Sequence, residues 1–149
     1  MPKIVTAAQQ GFAFQNVFGP LGPERHVTIH YTAGPEDEST AHAMELNRSY
    51  HREHKAKGWG GIGYHFNITR NGVLLCLRPT SLKGAHVGGW NTGNVGVMCH
   101  GTTGDRPTKA QKETLAWLLR NAHTRRLPRT HRSDRPLKMP YCDRRGHNQ

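Results

Sequence analysis

The sequence predicts an α/β fold: a single domain with a small mixed β-sheet covered by helices. Three observations carry this. Short β-branched runs alternate with two helical stretches, each helical stretch begins with recognisable start signals, and the two kinds of segment are interleaved along the chain. At 149 residues the chain forms one domain over residues 1–149, enough to bury about two-thirds of the surface its unfolded form exposes.

Taken in order, residues 1–25 read as an irregular N-terminal arm, with Gly and Pro recurring between Gly11 and Arg25. His26 to Tyr31 (HVTIHY) alternates and is β-branched, which predicts a strand with Val27 and Ile29 on one face and His30 on the other. Thr32-Ala33-Gly34-Pro35 stops it. Acidic residues at 36–38, followed by Ser39 and Thr40, mark a helix start, because carboxylates favour the positive end of the helix dipole. Met44, Leu46 and Tyr50 extend that helix to about Ala56, and Gly58 closes it. Ile62–Thr69 and Val73–Arg78 are predicted strands joined by Asn71-Gly72, a two-residue hairpin signal. Asn94–Cys99 is a further short strand. A second helix is predicted from Thr108 to about His123, with Thr108 and Gln111 as a capping box and Leu115, Trp117, Leu118 and Leu119 as its apolar face.

Charge narrows the partners. Lys and Arg number 21 against 10 Asp and Glu, a net charge of +11. From Arg120 to the end there are nine basic and two acidic residues. Such a field attracts polyanions, either nucleic acid or the anionic polymers of a cell wall, and its plainer reading is a solvated basic tail. No nucleic-acid-binding motif and no aromatic-and-basic strand platform accompanies it, which argues against nucleic acid. No apolar run approaches the roughly 18 residues a membrane span needs. The opening MPKIVTAAQQ lacks an apolar signal core, so the expectation is a protein that begins in a cytoplasm. The three cysteines, Cys76, Cys99 and Cys142, form no disulfide framework and fit a reducing compartment or a metal thiolate.

Four segments then stand out: His30-Tyr31-Thr32-Ala33-Gly34, Gly61-Ile62-Gly63-Tyr64-His65-Phe66, Gly84-Ala85-His86-Val87-Gly88-Gly89-Trp90-Asn91 and Asn94-Val95-Gly96-Val97. In order and spacing they resemble the type 2 N-acetylmuramoyl-L-alanine amidases, a family that includes phage endolysins and peptidoglycan recognition proteins. The resemblance covers most of residues 26–120. It implies zinc-dependent hydrolysis of the amide between N-acetylmuramic acid and L-alanine in bacterial peptidoglycan, with Zn2+ as cofactor. With a basic chain and no visible signal peptide, it also implies a phage- or prophage-encoded endolysin that waits in the cytoplasm before reaching the wall. The alternative within the resemblance is a non-catalytic module that binds peptidoglycan without cutting it.

The residues bear a chemical reading of their own. A catalytic zinc takes three protein ligands and keeps one position open for water. His30, at a strand end, is able to aim a ring nitrogen into a cleft, and the resemblance implies that it is the first ligand. Its plainer reading is a satisfied sheet histidine. Tyr64 corresponds to the tyrosine that the family keeps beside the metal, and a phenol there is able to donate to an oxyanion. His65 faces the opposite way and reads as structural or as a support behind the site. The glycine-rich stretch from 84 to 91 suits a loop that lets substrate approach backbone. His86, Trp90 and Asn91 are its substrate-binding candidates, Trp90 being equally readable as core packing.

The late ligands are less plainly placed. The family's other two are a histidine after a short strand and then a Cys or Asp. Arg145-Gly146-His147-Asn148 resembles the segment around the histidine, which makes His147 the preferred second ligand and leaves the chain truncated before the third. The alternative late ligands are His131 and Cys142, eleven residues apart, with Asp143-Arg144 where the family has Pro-Gly.

Overall fold

The computed structural model describes residues 1–24, 26–31, 39–101 and 106–120. Five strands form one mixed sheet: β1 (Ile4–Val5), β2 (His26–Tyr31), β3 (Phe66–Ile68), β4 (Leu74–Cys76) and β5 (Asn94–Cys99). Their spatial order is β1-β4-β3-β5-β2. β3 and β4 are antiparallel, whereas β1 with β4, β3 with β5 and β2 with β5 are parallel. Helix α1 (Thr40–Ala56) and helix α2 (Lys109–Leu118) complete the domain, with a 3-10 turn at Ala8–Gln10.

The period-2 alternation of the strands divides the core between two faces. Phe66, Ile68, Leu74, Cys76, Val95, Val97 and Cys99 pack with Leu118, and with partly buried Leu115 and Trp117, on the α2 side. Leu75 and Val73 point the other way, against Ala43 and Met44 of α1. The result is the expected α/β architecture, a small mixed sheet between two helices.

The local signals work as physical chemistry requires. Ser39 caps α1 by accepting the His42 N–H at 3.0 Å, and Gly58 follows the helix with a φ of 82°. Thr108 and Gln111 form the full reciprocal capping box of α2. Gly72, at a φ of 86°, makes the turn between β3 and β4 and lies so close beneath α2 that an added Cβ would stand 3.0 Å from Ala110.

Two expectations change. The arm is not wholly irregular, since Ile4 and Val5 pair with Leu74 and Leu75 as an edge strand. The strands expected at 62–69 and 73–78 shorten to 66–68 and 74–76, because beyond these the backbone pairs irregularly, with His65 N–H donating to Gly96 and Leu77 N–H to His65. On α1 the buried residues are Ala43, Asn47 and His51, one helical face that is mostly polar, with Met44 and Tyr50 partly buried against the core beside them. Cys99 is a free thiol in the core, and burial pushes its pKa up to about 11. The C-terminal end of the second predicted helix, at 121–123, lies outside the described residues.

Candidate functional site

His30 sits in β2 opposite Met98 of β5, on the sheet face away from α2. Its Nε2 lies 3.1 Å from Nδ1 of His86. Tyr64 joins them: its ring centroid is 5.2 Å from that of His30, nearly perpendicular, and 6.1 Å from that of His86. Three residues far apart in sequence thus meet at one point. Burial lowers the proton affinity of both histidines and raises that of the Tyr64 phenol, so at neutral pH two uncharged imidazoles lie beside a protonated phenol.

Glycines make this convergence sterically feasible. An added Cβ at Gly63 would lie 2.3 Å from the Ala85 carbonyl oxygen, and one at Gly84 would lie 2.5 Å from that of Gly63. Only two bare backbones approach so closely, and the Ala85 N–H donates to Gly63 at 3.0 Å across the contact. This brings the 84–91 loop against the segment that carries Tyr64. The loop is then held from within. Asn91 Oδ1 accepts the N–H groups of His86 at 3.0 Å and Val87 at 2.8 Å, and Asn94 Nδ2 donates to the Trp90 carbonyl at 2.9 Å.

Beside these residues lies a groove of about 640 Å³. His54, Trp59, Tyr64, His86 and Asn91 line it, with Lys57 and Lys83 supplying positive charge. Of the sequence candidates, Tyr64, His86 and Asn91 are therefore together, with His30 against them. Asn91 spends its carbonyl oxygen bracing the loop. Trp90 is 70% exposed, which rules out the core-packing alternative for it. His65 is fully buried, accepting from Gly96 N–H through Nδ1 at 3.0 Å and meeting the Leu82 carbonyl through Nε2 at 2.8 Å, so it is structural. His131, Cys142 and His147 lie outside the described residues. Among the described residues no group of three or more His, Cys, Asp or Glu comes together to hold a metal.

The sequence reading missed the supports that α1 provides. His54 Nδ1 accepts the Gly63 N–H at 2.9 Å, and His51 Nδ1 accepts the Ile62 N–H at 3.0 Å. These two bonds hold the irregular stretch leading to Tyr64, whose own backbone forms no regular strand. Burial, aided by the nearby Lys57 charge, lowers the His54 pKa to about 4, so this histidine stays a neutral acceptor. Arg78, 2% exposed, donates to the carbonyls of Ile62, Gly61 and Trp59 from the other side at 2.9, 2.8 and 2.6 Å. The available signal was the spacing of Asn47, His51 and His54, one helical face of polar residues.

Comparison with known proteins bears on the family and the fold. The profile described as N-acetylmuramoyl-L-alanine amidase matches residues 20–149. The endolysin of Enterobacteria phage T3 is 35% identical over 108 residues, 68% of each chain. That of Escherichia phage T7 is 35% identical over 78 residues, covering 48% of this chain and 52% of the phage protein, about half its length. In three dimensions, a Drosophila peptidoglycan recognition protein LB variant in complex with tracheal cytotoxin superposes with a TM-score of 0.71 at 25% identity, over 78% of this chain and 71% of that one. The chain belongs to the N-acetylmuramoyl-L-alanine amidase family.

Proposed function

We propose that the protein hydrolyses the amide between N-acetylmuramic acid and L-alanine in bacterial peptidoglycan, with zinc at His30. The observation that carries this reading is the meeting of His30 with Tyr64 and His86, two residues that line the groove, in a chain of the amidase family. His30 suits zinc in kind: a half-buried imidazole with lowered proton affinity is neutral, the form that ligates. His30 alone does not complete a shell, so the reading draws its late ligands from the C-terminal segment, with His147 preferred and His131 with Cys142 as the alternative pair. When bound, zinc supplies a water of lowered pKa and polarises a carbonyl.

The chain's own residues do the rest. The substrate lies along the groove with its scissile carbonyl toward Tyr64. The phenol, kept protonated by burial, donates to the carbonyl oxygen as negative charge develops there. His86 and Asn91, with Trp90 as a sugar platform at the loop's exposed tip, contact the glycan side. Lys57 and Lys83 complement the carboxylates of a stem peptide. The basic segment from Arg120 onward attracts anionic wall polymers. The phage endolysins among its relatives support a role in wall lysis for a phage- or prophage-encoded protein that is cytoplasmic before release. Among the described residues no helix is long and apolar enough to cross a membrane.

The test is turnover of a soluble muramyl-peptide before chelation, after chelation, and after zinc is restored. Loss and recovery of alanine-terminated peptide supports the reading. Binding of the muramyl-peptide with no turnover under any zinc condition would make the protein a recognition module instead.

A further inference from the structure

The hydrogen-bond partners around His86 fix more than its position. Its Nε2 lies 2.9 Å from the main-chain carbonyl oxygen of Asn94. A carbonyl only accepts, so Nε2 carries the ring hydrogen and, in a neutral imidazole, Nδ1 is left as a bare lone pair. That lone pair faces Nε2 of His30 at 3.1 Å, so His30 must donate through Nε2. In a neutral His30 this leaves Nδ1 without a hydrogen. The sequence of bonds runs from His30 Nε2–H to His86 Nδ1, and from His86 Nε2–H to the Asn94 carbonyl.

His86 and its acceptor residue are independently anchored. The Asn94 side chain accepts from Thr28 Oγ1 at 2.8 Å and donates to Trp90 at 2.9 Å, tying β5 to β2 and to the loop. The His86 backbone is held by Asn91. The His86 ring fills the space over Gly96, where an added Cβ would stand 2.7 Å from it. A ring held at its backbone, its face and its far nitrogen has little freedom to present the other tautomer.

We propose that His86 is a positioning residue that sets the tautomer of His30 and thereby makes Nδ1 of His30 the atom offered to a metal. The second half rests on the zinc reading above, and the first half does not. The physical reason is general: a ligating histidine is oriented, and made a better donor, by what its other ring nitrogen bonds to. His86 therefore acts through His30, in addition to any contact with substrate.

The test is long-range proton–nitrogen correlation spectroscopy on the isotope-labelled, metal-free full chain near neutral pH, which reads each histidine's tautomer directly. The expected result is His30 protonated at Nε2 in the wild type, a mixture of tautomers in His86→Ala, and restoration in His86→Gln, whose side-chain oxygen is an acceptor. Zinc competition on the same proteins is expected to show an affinity loss of about 10–100-fold in His86→Ala, the range for lost outer partners, with partial recovery in His86→Gln. In the cadmium-substituted wild type, metal–nitrogen coupling is expected at His30 Nδ1. A wild-type His30 protonated at Nδ1, or coupling at Nε2, would overturn the proposal and make the two facing nitrogens joint ligands. The wild-type spectra decide even if His86→Ala fails to fold. Absence of zinc binding with the tautomer as expected would sink the zinc reading alone.

Discussion

Gly96 and His86 share one space: the imidazole ring lies where a side chain at position 96 would begin, 2.7 Å from an added Cβ. The missing side chain on β5 is thus part of the site, since it sets how deeply the 84–91 loop seats its histidine against His30.

Gly96→Ala therefore forces the His86 ring outward or shifts β5. The expected cost is about 1–3 kcal/mol, as for other overpacked interiors, together with weaker zinc binding. Thermal unfolding and zinc competition check this. An unchanged melting temperature with wild-type affinity would show that the ring moves freely and that its seating is not specified.

His30→Ala is expected to abolish zinc binding and amidase turnover while leaving the fold intact, because His30 lies on an edge strand and is only partly buried. Metal analysis after dialysis and far-ultraviolet circular dichroism check both halves. The same analysis separates the late ligands: zinc lost in His147→Ala but kept in Cys142→Ser is the expected pattern, and the reverse would favour His131 with Cys142. Wild-type zinc stoichiometry in His30→Ala would remove His30 from the site.

Much of this was legible because its signals are local. The strands at 26–31 and 94–99, the Ser39 cap and the Thr108–Gln111 capping box each depend on a few consecutive residues, and they fall where the pattern puts them. What was missed depends on distant partners. Ile4 and Val5 form a strand only because Leu74 and Leu75 offer an edge. His51 and His54 look like surface residues of a helix until residues 62 and 63 are placed beside them. The site shows the same division. The motifs named His30, Tyr64 and His86 separately, but no local rule gives the bond between two histidines 56 residues apart.

Tyr64→Phe keeps the ring and removes the hydroxyl. A donor that matters mainly in the transition state should lower kcat by about 10²-fold or more and leave KM little changed. Steady-state kinetics on a muramyl-peptide check it. A change of less than about threefold, under ~1 kcal/mol, would mean that the phenol takes no part in the chemistry.

Stability should fall with acid, in a definite window. Burial lowers His54 to about 4 and His65 to about 3 from an ordinary value of 6.5, and His30, His51 and His86 move in the same direction. The unfolded chain therefore binds more protons than the native one between these limits. The stabilisation is complete above about pH 6.5 and declines as pH falls toward the native values of about 4 and 3. Urea unfolding midpoints across this range are expected to decrease steadily below that upper limit. A flat profile down to about pH 4 would mean that these rings are protonated in the folded protein.

The central claim is the bond that is cut, and the most direct measurement identifies the new ends left on purified peptidoglycan. Digestion by the zinc-loaded chain, followed by end-group labelling and mass spectrometry, is expected to reveal new free amino termini on L-alanine and intact lactyl groups on N-acetylmuramic acid, with no new reducing sugar ends. New reducing ends, new amino termini on other stem residues, or wall binding with no new ends at all would contradict it.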